Sequence, residues 1–359
     1  MKACKGMTKA AVFGALGDHR ELRKLLRMDA DLASDPQLLC GAALQGNVAA
    51  AALLLEAGAD PDGLVASHEN YRPLHRAIEH RGVARNDGHM QVAGMLLDAG
   101  ASLEKRATWM QLVPLAVAGM AGDAEMIDLL VKRGAEVNVF TAASIADTKK
   151  MRGFLKRKSA ATSRDINNMT VLHYAALCGL DGEAAEQSQR QIAEILMDAG
   201  ADGDARENIG PYPPTPVLHF AAWKNYALAK VLLSRGCDPN HGFGNCLWRE
   251  PGRMAELFLS HGADVNGHDA SGQPFLNRCI HWNLTSVALW LLKNGADPNS
   301  TDKQGNTPLH EAAIRGVSPM VVQAILASGG LKKTKNKAGQ TCLDIAKMKK
   351  RDKIILILR

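Results

Sequence analysis

A glycine-centred phrase recurs between Glu56 and Asn299 and constrains this chain more than any other feature. It reads Glu56-Ala-Gly58-Ala-Asp60-Pro, Asp98-Ala-Gly100-Ala-Ser102, Lys132-Arg-Gly134-Ala-Glu136-Val-Asn138 and Asp198-Ala-Gly200-Ala-Asp202. It continues as Ser234-Arg-Gly236-Cys-Asp238-Pro-Asn240, Ser260-His-Gly262-Ala-Asp264-Val-Asn266 and Lys293-Asn-Gly295-Ala-Asp297-Pro-Asn299. Successive glycines lie 42, 34, 66, 36, 26 and 33 residues apart, and the longest gap holds one degenerate copy. A period of this length marks small units that cannot bury an apolar face alone and therefore stack on their neighbours. Aromatics make up only 4% of the chain, so small aliphatic side chains must fill the core, which suits helices packed on helices.

An apolar helical stretch precedes each phrase, such as Ala52-Leu-Leu-Leu55 or Trp290-Leu-Leu292. Before that comes a second stretch opening on Pro73-Leu-His75, Val171-Leu-His173, Leu218-His219 or Thr307-Pro-Leu-His310. With Asn306-Thr-Pro-Leu-His-Glu-Ala-Ala-Ile-Arg-Gly316 as its best copy, the pattern resembles the ankyrin repeat over nearly the whole chain. The resemblance implies an all-α solenoid of stacked helix-turn-helix units joined by β-hairpin-like loops. Each part has a physical reason: Pro suits the first turn of a helix, Thr caps it, and Gly ends the second helix in a left-handed conformation. By resemblance, His75, His173, His219 and His310 are internal hydrogen-bonding residues.

Ten or eleven units are expected, with boundaries near residues 8, 36, 68, 108, 140, 167, 211, 243, 270, 303 and 337. Insertions at His80 to Gly88 and Leu180 to Gln189 should protrude from the inter-helix turns. The eighth unit is about seven residues short of the common ankyrin length, and Pro251 should disturb its turn. Because Phe140-Thr-Ala-Ala143 looks like an opening unit, the chain divides into repeats over 1–139 and over 140–359, with a join near Val139. Lys337 to Arg359 reads as a terminal cap.

Apolar runs fall short of a bilayer span, so no membrane segment is expected. Seven scattered cysteines suit a reducing cytoplasm rather than a disulfide scaffold. Cys237, His241 and Cys246, with His268, form the one ligand-like group. Their spacing lacks the tight pairs of a structural zinc site, so no metal or other cofactor is expected. Nucleophile elbows, phosphate loops, dinucleotide fingerprints and zinc-protease helices are absent, so the chain is read as non-catalytic. The net charge of +6 gathers in Lys149 to Lys158 and in Lys332 to Lys353. Those clusters are read as solvated faces and a polar cap, with an acidic partner or nucleic acid as the alternatives.

The expected function is protein binding by a monomer through the concave groove of the stack. Counting from the Leu of Leu-His, positions two, five and six further on face that groove by resemblance. Early units offer small or mixed residues there, such as Gly41 and Gln45. From the sixth unit the set becomes Tyr174 and Leu177; Phe220, Trp223 and Lys224; Trp248 and Arg249; then Arg278, His281 and Trp282. Hot spots are enriched in Trp, Tyr and Arg, so these residues are the candidate partner-binding patch. An enzyme or small-molecule site in the same aromatic groove is the alternative.

Overall fold

A computed structural model of the chain describes residues 16–67, 70–80, 82–209, 214–248 and 252–359. Among these residues lie 21 α-helices, two short 3-10 turns and isolated antiparallel bridges, and no longer strand. The chain forms two compact units, Met1–Thr215 and Pro216–Arg359. In the first, α1 (His19–Met28) precedes five helix pairs. These are α2 (Pro36–Leu44) with α3 (Val48–Glu56), α4 (Pro73–Glu79) with α5 (Asp87–Asp98), α6 (Pro114–Ala121) with α7 (Ala124–Lys132), α8 (Val139–Ser144) with α9 (Thr148–Phe154), and α10 (Val171–Leu177) with α11 (Glu183–Asp198). The second holds α12 (Val217–Lys224) with α13 (Tyr226–Ser234), α14 (Asn240–Cys246) with α15 (Arg253–Ser260), α16 (Phe275–His281) with α17 (Thr285–Lys293), α18 (Pro308–Arg315) with α19 (Pro319–Ala327), and α20 (Cys342–Met348) with α21 (Asp352–Leu358).

First helices stack on first helices: α2, α4, α6, α8 and α10 in turn, then α12 on α14 and α16 on α18 on α20. Their paired alanines, such as Ala142-Ala143, Ala175-Ala176 and Ala312-Ala313, are buried and let the helix backbones approach closely. One such close approach is at Gly119, where an added Cβ would collide with the Ser144 carbonyl of α8. The join expected near Val139 therefore falls inside the first unit, with α6 and α8 packed across it.

The phrase glycines behave as the pattern requires. Gly58, Gly134 and Gly295 have φ of +90°, +95° and +89°, and nothing lies within 4 Å of a Cβ built on them. Backbone conformation alone therefore selects glycine there. The Leu-His imidazoles form a second regular network. His173 Nε2 donates to the Thr215 carbonyl (3.2 Å), and its Nδ1 accepts from the Thr170 amide (3.1 Å). His310 repeats this with Gln340 (3.0 Å) and Thr307 (3.2 Å). His75 donates to the Leu112 carbonyl (3.0 Å), but its Nδ1 is buried without a partner because Arg72 stands where the other units have Thr. For His75 and His310 the acceptor carbonyl sits where the hairpin of the next repeat enters its first helix, so these histidines clip repeat to repeat.

Antiparallel bridges close the hairpins before α4, α6, α10, α16 and α20. By contrast, α8 and α14 start within the phrase itself: Asn138 caps α8, and α14 begins at Asn240. The eighth unit is thus short because it lacks the hairpin, whereas the sequence pointed to its inter-helix turn; Pro251 lies outside the described residues. In the first unit the corresponding gap is bridged, since Asn167 Nδ2 of the hairpin before α10 donates to the Met110 carbonyl of the hairpin before α6 (2.7 Å).

Neither insertion is a free protrusion. The segment after His80 is tied to the next repeat by Arg85, which pairs with Asp123 (2.6 Å) and Glu125 (2.8 Å). The one after Leu180 is largely helical and lengthens α11 to 16 residues. At the far end, Ile354 and Leu358 are buried, as a cap requires. Part of the basic cluster there serves helix ends: Lys332 Nζ donates to the Ile357 carbonyl (3.0 Å), and Arg351 Nη2 to the Ile314 carbonyl (3.3 Å). Among the described residues no helix is long and apolar enough to cross a membrane.

Candidate binding surface

Three tryptophans stand at the C-terminal ends of consecutive first helices in the second unit. Trp223 is 49% exposed, Trp248 46% and Trp282 57%, which places them among the exposed large apolar side chains. The Trp248 and Trp282 rings lie 5.9 Å apart at a tilt of 58°, and the Trp282 ring is 5.2 Å from His281. Trp223 packs against Phe220 (5.9 Å) and His219 (5.8 Å). Lys224 is exposed beside Trp223, and Arg249 lies outside the described residues.

Tyr174, Leu177, Phe220 and Arg278, expected on the groove surface, are buried instead. The physical reason is position along the helix. The residue two after the Leu of Leu-His turns beneath the neighbouring repeat, while those five and six after reach the open end of the helix. Tyr174 illustrates this: its ring lies 5.1 Å from Phe140 of α8, and its hydroxyl donates to Asp165 Oδ2 of the preceding hairpin (2.8 Å). Burial, with the Asp165 carboxylate beside it, raises the pKa of this phenol. Leu177 sits at an exposed-type position, but the lengthened α11 comes down beside it, with Gln189 donating to the Leu180 carbonyl (2.7 Å).

His281, expected on the groove surface, already pairs with a carboxylate of this chain. Its Nδ1 donates to Glu311 Oε1 of α18 (2.9 Å), Arg315 Nε donates to the same oxygen (2.9 Å), and Arg315 Nη2 lies 2.9 Å from His281 Nε2. This closed triad fixes the rim beside Trp282 and consumes the charge of the buried Glu311.

Sequence reasoning missed a cavity of about 460 Å3 next to Trp248, lined by His219, His241, Asn245, Asp269 and Arg278. It occupies the place of the hairpin that the eighth unit lacks, between α14 and the hairpin preceding α16. Glycines keep this region open to close packing: a Cβ on Gly244 would stand 2.9 Å from the Phe275 ring. The spacing of 26 residues between Gly236 and Gly262 was the signal that pointed here.

His219 loses its clip for the same reason, since no hairpin carbonyl among the described residues reaches it, and Pro216 stands where a capping Thr would be. Burial lowers its pKa to about 4, so the ring is neutral at neutral pH. Burial likewise lowers the pKa of Arg278, whose guanidinium carbon stands 4.9 Å from the centre of the Trp248 ring and 5.1 Å from that of Phe275. Cys237 and Cys246 are buried, and burial pushes the Cys246 thiol up to about 12. Among the described residues no three His, Cys, Asp or Glu side chains are grouped to hold a metal ion.

Sequence models of the family described as Ankyrin repeat match residues 216–242 and, as three copies, residues 283–359. The chain is an ankyrin-repeat protein. Human Rabankyrin-5 is 25% identical over 191 residues, which are 44% of this chain and 16% of that protein. Human transient receptor potential cation channel subfamily A member 1 is 30% identical over 190 residues, 50% of this chain and 16% of that protein. NF-kappa-B inhibitor alpha of Gallus gallus is 30% identical over 135 residues, 33% of this chain and 41% of that protein. The matches thus span less than half the length of these curated relatives. The crystal structure of the human ASB11 ankyrin repeat domain aligns with a TM-score of 0.47 at 20% identity, covering 69% of this chain and 98% of that one. Ankyrin repeats are in general non-catalytic modules of protein–protein interaction.

Proposed function

We propose that the chain binds a protein partner through the second unit, on the surface carried by Trp223, Trp248 and Trp282 and rimmed by Lys224 and His281. The observation that carries this reading is the half-exposed Trp248–Trp282 pair, two large rings in contact at the open ends of neighbouring helices. Leaving such rings in water forgoes burial worth roughly 2 kcal/mol each, which a partner would recover. The matched NF-kappa-B inhibitor alpha is itself named for the protein it inhibits. On this reading the chain acts as a cytoplasmic monomer, and the buried Tyr174, Leu177, Phe220 and Arg278 shape the surface from beneath.

Photo-crosslinking locates the contact directly. A photoreactive phenylalanine placed at 282 should capture the same partner in extracts of the source organism as one placed at 223. The same residue at the exposed Gln45 of the first unit should capture none. Capture from 45 and not from 282 overturns the assignment.

A further inference from the structure

Arg278 is 5% exposed, yet among the described residues it has no carboxylate within ion-pair distance. Among the described residues its one oxygen acceptor is the Gly244 carbonyl, 2.6 Å from Nη2; the Cys279 side chain makes the other polar contact of the guanidinium, and Nε is buried with no partner. The one carboxylate lining the same cavity, Asp269, is engaged in its own turn, with Oδ1 accepting from the amides of Ser271 (2.8 Å) and Gln273 (3.0 Å). A buried guanidinium normally requires a full set of acceptors, since an unmade hydrogen bond to a charged group costs more than a neutral one. His219, on the opposite wall, adds an imidazole whose nitrogens have no hydrogen-bond partner among the described residues. Two donors thus face one cavity, and the hairpin that would have supplied acceptors is missing.

We propose that a segment of the partner carrying an Asp or Glu side chain fills this cavity in place of the missing hairpin, with its carboxylate on Arg278. This rests on the reading of the second unit as a partner-binding surface. A planar carboxylate matches the guanidinium fork and the single fixed positive charge. A phosphate dianion would bring more charge than Arg278 balances, with Asp269 on the same wall. His219 supplies the second donor as a neutral ring, and Trp248 covers the site from the solvent side. The cavity therefore selects an acidic residue, and the exposed tryptophans take the apolar residues that flank it.

The test uses the full-length protein and a library of capped short peptides in which each position is fixed in turn as Asp, Glu, Asn or Gln. The protein should retain peptides with an acid at one position, and changing that acid to its amide should weaken binding about tenfold or more. Arg278→Gln should abolish this preference, bringing acid and amide within about twofold of each other by the same reasoning. Peptides retained without preference for an acid, or with a preference that survives Arg278→Gln, overturn the proposal and leave the surface assignment standing. A library from which nothing is retained overturns it as well, and crosslinking from position 282 then judges the surface separately. Because Arg278 also holds the Gly244 carbonyl, the wild-type protein supplies a second readout. With 15N-labelled arginine, the Arg278 Nε–H resonance should shift on adding the retained acidic peptide and stay in place with the amide version. No shift with either peptide contradicts the assignment of Arg278.

Discussion

Replacing His173 by Gln should produce a stability defect that disappears as the pH falls. In the native protein the ring is a single neutral tautomer, with Nε2 donating to Thr215 and Nδ1 accepting from Thr170. A second proton would sit on Nδ1 and face the Thr170 amide. Burial lowers the folded pKa from 6.5 to about 4. The stabilisation is therefore fully present above pH 6.5 and is lost as the pH falls from there towards 4, because the unfolded chain takes up a proton that the folded chain refuses. Between pH 7 and pH 5 the loss is about 2 kcal/mol, at about 1.4 kcal/mol per unit of pH. At pH 7 the variant forgoes two hydrogen bonds of about 1 kcal/mol each, a defect of about 2 kcal/mol. The two effects offset each other at pH 5, where wild type and His173→Gln should unfold at nearly the same urea concentration. His75, whose pKa burial also lowers to about 4, titrates in both proteins and cancels in the comparison. Urea unfolding followed by circular dichroism at pH 7, 6 and 5 measures the convergence. Parallel curves, or a ring that titrates near 6.5 by NMR in the folded protein, would refute the reasoning.

Two glycine substitutions should separate conformation from crowding. Gly134→Ala, with open space around it at φ +95°, should cost about 1 kcal/mol, whereas Gly119→Ala, driven against the Ser144 carbonyl, should cost about 3 kcal/mol; thermal melts rank them. A reversed order would mean that the α6–α8 contact is soft. Deleting residues 337–359 removes α20 and α21 and uncovers the apolar flanks of α18 and α19, so the truncated chain should aggregate and melt lower. A soluble truncation with an unchanged melt would show that the run from Ile354 to Leu358 is not a cap.

The parts of this fold that were legible in the sequence are those governed by local chemistry. Gly58 or Gly295 ends a helix because of its own φ, and Thr307 and His310 bond within three residues of each other, so a short phrase reports both. Features that depend on neighbours in space were not legible. Tyr174 and Phe220 occupy positions that face the groove by counting, but packing against the adjacent helix buries them. The shortening of the eighth unit was visible as a count, yet Asn240 to Cys246 is too rich in Gly and Asn to announce a helix, so its register and the missing hairpin were misplaced. His281 was read as a partner-binding residue, and its pairing was not legible because Glu311, its carboxylate, lies 30 residues away. Arg278 was read as part of the groove surface, and only the structure shows its guanidinium buried with Nε unpartnered.

The most direct test of the binding surface is the dissociation constant of the crosslinked partner, measured with wild type, Trp282→Ala and Gln45→Ala alongside their thermal unfolding. Trp282 is more than half exposed, so its truncation should leave the melt unchanged and weaken binding about 30-fold, the equivalent of a hot spot of about 2 kcal/mol, while Gln45→Ala changes neither. Binding that survives Trp282→Ala intact, or that is lost with Gln45→Ala, would contradict the placement of the partner on the second unit.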